Sequence, residues 1–218
     1  IKSLVSKNHL SNFTIINSCA VTEEAEKKVR YEIRKSKRNE PKRKIIVTGC
    51  AAQINTVEYS NIKEVDYVIG NNEKVKSSTW SNLSKKSRVQ VNDIFNNKHS
   101  YENILEKFEG RSRAYIEIQQ GCNHRCTFCV IPFGRGNNRS VPVGIIVNRI
   151  NLLVENGFKE VVLTGVDITD YGIDLPGKPN LFQLVKRILN LVPKLKQLRL
   201  SSIDCAEIYD DFWPLLNE

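Results

Sequence analysis

The chain has 218 residues, 40% of them hydrophobic and 26% charged, with a formal net charge of +9. That is enough to bury the core of one or two domains, and no apolar run reaches the length that spans a bilayer. Ile1 to Asn12 mixes charged, polar and apolar residues, so it does not read as a secretory leader, and a cytoplasmic location is expected.

Phe13-Thr-Ile-Ile-Asn17 reads as a buried strand. Thr22 is placed to cap the next helix, with Glu23 and Glu24 in its first turn and basic residues crowding its later turns. That polarity suits the helix dipole. Pro41 ends the helical stretch. Lys44-Ile-Ile-Val-Thr48 and Val65-Asp-Tyr-Val-Ile69 read as the second and third strands, and this rhythm implies a parallel sheet with helices on its faces. Lys27, Lys28, Arg30, Arg34, Lys35, Lys37, Arg38, Lys42, Arg43 and Lys44 fall within one short stretch. Such a face favours a polyanion, or is merely a solvated helix surface; composition alone leaves both open. Asn71 to Gly110 is polar and weakly periodic, and reads as the end of a domain and a linker, with a short edge strand near Val89-Gln-Val-Asn92.

A second series begins at Ala114. Tyr115-Ile-Glu-Ile118 reads as a strand, followed by a cysteine loop and a helix from Val143 to Glu155 that Gly157 stops. Glu160-Val-Val-Leu-Thr164 is the next strand and Leu181 to Val192 the next helix, halted by Pro193. Leu198-Arg-Leu-Ser-Ser202 is a third strand, with a helix from about Ala206. Three βα units of roughly 35–45 residues are what part of a (β/α) barrel would contain.

Six cysteines are present: Cys19, Cys50, Cys122, Cys126, Cys129 and Cys205. Cys122, Cys126 and Cys129 crowd together as C-x3-C-x2-C on a loop after a strand, which points to a metal or cluster rather than to cross-links. A compact loop of this kind can wrap three thiolates around three irons of a [4Fe–4S] cubane and leave the fourth iron open for a reactant. A zinc ion is the alternative; zinc sites usually take four ligands with cysteines paired as C-x2-C, and His124 is the nearby fourth candidate. Phe128, just before the last cysteine, can pack beside an adenine or plug the space under a cluster.

Cys122 to Cys129 resembles the radical S-adenosylmethionine motif. Five further stretches narrow the resemblance. They are Asn17-Ser-Cys19-Ala-Val-Thr22, Val47-Thr-Gly-Cys50-Ala-Ala-Gln53, Ile131-Pro-Phe-Gly-Arg135 continuing to Pro142, Leu163-Thr-Gly-Val-Asp167 continuing to Gly172, and Leu198-Arg-Leu-Ser-Ser202 continuing to Asp204. All look like the radical S-adenosylmethionine methylthiotransferases, most like the branch acting on N6-threonylcarbamoyladenosine at position 37 of tRNA. The resemblance implies an α/β fold in two parts. Residues 1–95 would be a Rossmann- or flavodoxin-like parallel-sheet domain, incomplete at its start. Residues 96–110 would be a linker, and 111–218 the first three βα units of a radical SAM partial TIM barrel, incomplete at its end. The absence of methionine agrees with an incomplete chain.

The same resemblance implies two clusters. Cys122, Cys126 and Cys129 would hold the one that binds S-adenosylmethionine and cleaves it to a carbon radical. Cys19 and Cys50 match two of three ligands of an auxiliary [4Fe–4S] cluster, and the match for the first ligand is missing. Gly165, Asp167, Ser201 and Ser202, at barrel strand ends, are the candidates to contact S-adenosylmethionine. Arg135 and Arg139 flank the cluster loop and are candidates for RNA phosphate or the S-adenosylmethionine carboxylate. Cys205 is expected to be structural. Implied partners are a tRNA anticodon loop and a flavodoxin or ferredoxin as electron donor, with no DNA and no membrane. Alternatives are a sister methylthiotransferase acting on isopentenyladenosine in tRNA or on a ribosomal protein, an inactive remnant that still binds RNA, and a zinc-binding nucleic-acid module.

Overall fold

The structure, a computed structural model, describes residues 12–81, 83–97, 113–204, 207, 208 and 213. Cys205, the helix start at Ala206 and the linker beyond Asn97 lie outside the described residues. Two compact units emerge. One comprises the chain up to Asn97 together with His124–Gly136; the other takes the chain before and after that segment, up to Asn123 and from Asn137.

The first unit is a four-stranded parallel sheet in the order β1-β2-β3-β4: β1 Phe13–Ser18, β2 Lys44–Gly49, β3 Tyr67–Ile69 and β4 Val89–Gln90. Helix α1 (Glu23–Asn39) joins β1 to β2. The Thr22 hydroxyl accepts the Ala25 amide at 3.1 Å, and acidic residues lead and basic residues close the helix. Its buried face is Val29 and Ile33, which pack with Ile45, Val47, Ala51, Ala52, Tyr59, Val65 and Val68. Each fully buried Ile or Val here contributes roughly 1.5–3 kcal/mol.

Helices α2 (Cys50–Ile54) and α3 (Thr56–Ser60) follow β2 directly. Gly49 stands before α2 with φ +104°, and a Cβ there would lie 2.2 Å from the Ser18 carbonyl oxygen, so only glycine fits. A glycine cannot cap with a side chain. Ser18 on the neighbouring strand does so instead: its hydroxyl accepts the Ala52 amide at 3.0 Å and donates to the Thr48 carbonyl at 2.7 Å.

β3 starts at Tyr67, two residues later than the apolar run predicts. The Asp66 carboxylate accepts the Ile45 amide at 2.8 Å, taking a bond that a strand carbonyl would otherwise accept. The polar stretch after Asn71 is also better packed than its composition implies. Helix α4 (Ser77–Ser81) buries Trp80, which with Leu83, Ile46 and Ile69 forms a small core under the sheet. The Trp80 indole donates to the Lys74 carbonyl at 2.9 Å.

In chain order, β5 (Arg113–Glu117) and β6 (Gln119–Gln120) come next, then α5 (Ile131–Arg135), which belongs to the first unit. β7 (Arg139–Ser140), α6 (Val143–Glu155), β8 (Glu160–Thr164), α7 (Leu181–Leu191) and β9 (Gln197–Leu200) complete the described elements. The second unit pairs β5, β8 and β9 in parallel, in that order, and β6 with β7 antiparallel. Helices α6 and α7 cover the sheet through Ile146, Ile150, Leu181, Leu184 and Ile188. Asn180 and Gln183 start α7 with a reciprocal capping box. Gly157, at φ +89°, follows α6. Among the described residues, no helix is long and apolar enough to cross a membrane.

Candidate metal centre

The β1–β2 register pairs Ser18 with Gly49. Cys19 and Cys50, the next residues, therefore leave adjacent parallel strands at the same sheet edge, where open α/β sheets gather ligands. Cys19 is exposed and Cys50 partly buried. Asn71 follows β3 at this edge and is buried. Its amide nitrogen lies 3.5 Å from the Cys50 sulfur and 2.6 Å from the Gly134 carbonyl oxygen. Arg135 also turns to this edge, with Nε 3.1 Å from the same sulfur. The expected partners of Arg135, RNA phosphate or a cosubstrate carboxylate, are thus joined by another: its Nε–H points at a cysteine.

The segment His124–Gly136 carries Cys126, which is exposed, and Cys129, which is partly buried; the Cys129 amide donates to the Cys126 carbonyl at 3.0 Å. Phe128 between them is 90% exposed, with a ring face open for stacking or for packing against a cluster. Phe133 meets Phe95 edge-on at 6.1 Å, and the Arg125 guanidinium lies 5.4 Å from the Phe95 ring centre.

In the second unit, the residue that organises the site is Gln119, which sequence reasoning passed over. It is fully buried. Its Nε2 donates to the Gly121 carbonyl at 2.7 Å and to Asn138 Oδ1 at 2.6 Å. Its Oε1 accepts the amides of Val166 and Asp167, both at 2.9 Å. One carboxamide so ties the start of the cysteine loop to the turn after β8. Asn138, also buried, extends the network: its amide donates to Asn123 Oδ1 at 3.0 Å and its Nδ2 to the Asp170 carbonyl at 2.7 Å.

This network places Asp167 beside Cys122, with Oδ2 3.2 Å from the sulfur, while Thr169 donates to Oδ1 at 3.0 Å. Gly165 also has a structural reason to be glycine. A Cβ there would come within 2.7 Å of Ile168 and 2.8 Å of Gln119 Oε1, so its lack of a side chain makes room for Gln119. Ser201 is partly buried with its amide bonded to the Leu163 carbonyl at 3.0 Å, and Ser202 is exposed. Arg139 is buried, with Nη1 donating to the Asn137 carbonyl at 2.8 Å, which corrects its reading as an RNA contact. The Tyr171 hydroxyl donates to the Val141 carbonyl at 2.6 Å; burial, and secondarily Asp174, push its pKa up, so it stays a donor.

None of the five described cysteines is in a disulfide. Cys122, Cys126 and Cys129 are thiols on a loop without regular structure from Gly121 to Cys126, a backbone able to wrap a polyhedral cluster. Three sulfur donors satisfy three irons of a cubane, whereas a tetrahedral zinc would need a fourth ligand, for which His124 and Asp167 lie near Cys122. The donor set fits the iron–sulfur group.

Comparison with known proteins agrees with this chemistry. Residues 2–70 match the model of a family described as uncharacterized protein family UPF0004, and residues 116–210 match the radical SAM superfamily. The threonylcarbamoyladenosine tRNA methylthiotransferase MtaB of Rickettsia prowazekii is 51% identical over 216 residues, covering 99% of this chain and 51% of the relative. MtaB of Aquifex aeolicus is 37% identical over 218 residues, covering 98% of this chain and 52% of the relative. The chain thus spans about half the length of the curated relatives it matches. Among solved structures, the radical S-adenosylmethionine methyltransferase TsrM of Kitasatospora setae, solved with cobalamin and a [4Fe-4S] cluster bound, superposes with a TM-score of 0.59 at 15% identity, over 94% of this chain and 47% of that one. That likeness bears on the fold alone.

Proposed function

We propose that the chain belongs to the radical S-adenosylmethionine methylthiotransferases and is the part of a tRNA-modifying enzyme that methylthiolates C2 of N6-threonylcarbamoyladenosine at position 37. The observation that carries this reading is the joint presence of two cysteine groups: Cys122, Cys126 and Cys129 after β5 and β6, and Cys19 with Cys50 at one edge of the first sheet. A bound [4Fe–4S] cluster together with S-adenosylmethionine would supply the radical chemistry that an aromatic C–H demands.

The roles of this chain's own residues follow. Cys122, Cys126 and Cys129 hold that cluster, and Cys19 and Cys50 contribute to an auxiliary one. Gln119 keeps the turn Gly165–Asp167 against the cysteine loop. Asp167 accepts from a donor group of S-adenosylmethionine near Cys122. Phe128 stacks on its adenine, and Ser201 and Ser202 line the strand end beyond. The partners are a tRNA anticodon loop, whose splayed bases suit such recognition, and a flavodoxin or ferredoxin, in the cytoplasm.

Anaerobic reconstitution tests the reading. Iron and sulfide should bind, and S-adenosylmethionine should be cleaved. Cys126→Ala should abolish cleavage and lower iron content while the far-UV circular dichroism holds. Near-stoichiometric zinc without sulfide would overturn the assignment. Nucleoside analysis of tRNA from cells with and without the full gene then identifies the base: loss of the methylthio group from isopentenyladenosine alone would move the chain to the sister enzyme.

A further inference from the structure

We propose that Asn71 is a positioning residue: it latches α5, and with it the segment bearing Cys126 and Cys129, onto the helix headed by Cys50. The proposal deepens the reading above and rests on it, because the spacing between the two cysteine groups matters only if both hold iron.

The orientation of the Asn71 carboxamide is fixed by chemistry. Its Oδ1 accepts from the Lys74 ammonium at 2.6 Å, and Lys74 Nζ also stands 3.4 Å from Asn17 Oδ1. An ammonium only donates and a backbone carbonyl only accepts. Nδ2 must therefore face the Gly134 carbonyl, at 2.6 Å in a buried bond, and the Cys50 sulfur, at 3.5 Å. A flipped amide would set donor against donor and acceptor against acceptor. One side chain so joins three places: the end of β1 through Lys74 and Asn17, the first residue of α2, and the fourth residue of α5.

The fit around this latch is close. A Cβ on Gly134 would lie 2.9 Å from Cys50 Cβ and 3.4 Å from Cys50 Cα, rigid atoms that cannot swing aside. Glycine at 134 lets α5 approach near enough for both polar contacts. Arg135, the next residue, then brings Nε within 3.1 Å of the Cys50 sulfur. Phe133 packs on Phe95 from the other side. Two N–H groups thus converge on one ligand sulfur, and hydrogen bonds to a ligating sulfur shift a cluster's reduction potential upward.

Asn71→Asp isolates the latch. It keeps the size and the Lys74 contact but replaces the donor with an oxygen facing the Gly134 carbonyl. Gly134→Ala reaches the same state by pushing α5 away from Cys50, so global unfolding of one variant leaves the other to decide. Hydrogen exchange of the cluster-free chain is the first readout. Amides of residues 133–136 should exchange roughly tenfold faster, as loss of one buried hydrogen bond allows, while residues 161–164 of β8 keep their protection. Unchanged exchange at 133–136 in a folded variant would overturn the latch.

Potentiometry of the reconstituted full-length protein is the second readout. Asn71→Asp and Arg135→Leu should lower the potential of the cluster at Cys50 and leave that of the three-cysteine cluster where it was; an unmoved potential at Cys50 overturns the positioning role. If the wild-type protein takes up one cluster only, the auxiliary assignment falls, and the exchange experiment alone decides the latch.

Discussion

At the residue scale, the contrast between the cysteines and Gln119 separates what a sequence can announce from what it cannot. Cys122, Cys126 and Cys129 declare themselves by spacing along one loop. Gln119 sits in a run of ordinary strand residues, and its importance arises only when three separated segments fold onto one carboxamide. Gly165 is similar, since the close neighbours that forbid a side chain there, Ile168 and Gln119, are visible only in the fold. Gln119→Leu should therefore cost more than an ordinary substitution of similar size. It leaves the Val166 and Asp167 amides and the Gly121 carbonyl without their partner, at roughly 1–3 kcal/mol for each group that stays dry. Denaturant unfolding should show a loss of several kcal/mol, and S-adenosylmethionine binding should weaken because Asp167 loses its anchor. A loss below about 1 kcal/mol would mean that water replaces the carboxamide.

At the element scale, long apolar runs and turn residues made the principal strands and helices legible. β8 and α6 fall where their patterns predict, and α1 starts at its Thr22 cap. Elements of five residues, such as α2, α3 and α5, are too short to show a helical period, and α2 depends on a cap lent by Ser18 from another strand. The second sheet has its own cross-strand tie. Glu160 on β8 accepts from Arg113 on β5 at 2.8 Å and from Arg199 on β9. Desolvation pushes this carboxyl up, but the hydrogen bonds from Arg113 and Arg199 outweigh it and hold the pKa below the usual value. With a lowered folded pKa, the stabilisation is fully present above the unfolded value and is lost as pH falls through the folded one. Glu160→Gln should thus be less stable than wild type near pH 7, with the gap closing as acid protonates the folded-state carboxylate. Thermal unfolding across that range checks it, and a gap independent of pH would show that the carboxylate contributes shape alone.

At the scale of the whole molecule, the compact units do not follow a single cut in the chain, because His124–Gly136 packs with residues before Asn97. A boundary drawn along the sequence cannot foresee that, since the contacts holding the segment, Asn71 to Gly134 and Phe95 to Phe133, join distant residues. The net charge of +9 raises the remaining question of whether a basic face of the protein meets a polyanion. On α1, Lys27, Arg30, Tyr31, Arg34, Lys37 and Arg38 line a concavity of about 670 Å³. Arg30 is committed to Glu58 at 2.6 Å, and Lys37 lies 3.5 Å from Asp66, so these two serve the fold. Lys27, whose side chain is 79% exposed and 3.8 Å from a still more solvated Glu23, keeps its charge for a partner, and Arg34 and Arg38 share its face. If this face binds RNA phosphate, replacing Lys27, Arg34 and Arg38 by alanine should weaken tRNA binding, and the slope of log affinity against log salt should fall by about 2. Stability should stay within about 0.5 kcal/mol, because no core contact is removed. A salt titration with unmodified tRNA distinguishes this from a merely solvated helix: an unchanged slope would assign the basic stretch to solubility and leave RNA capture to other surfaces of the enzyme.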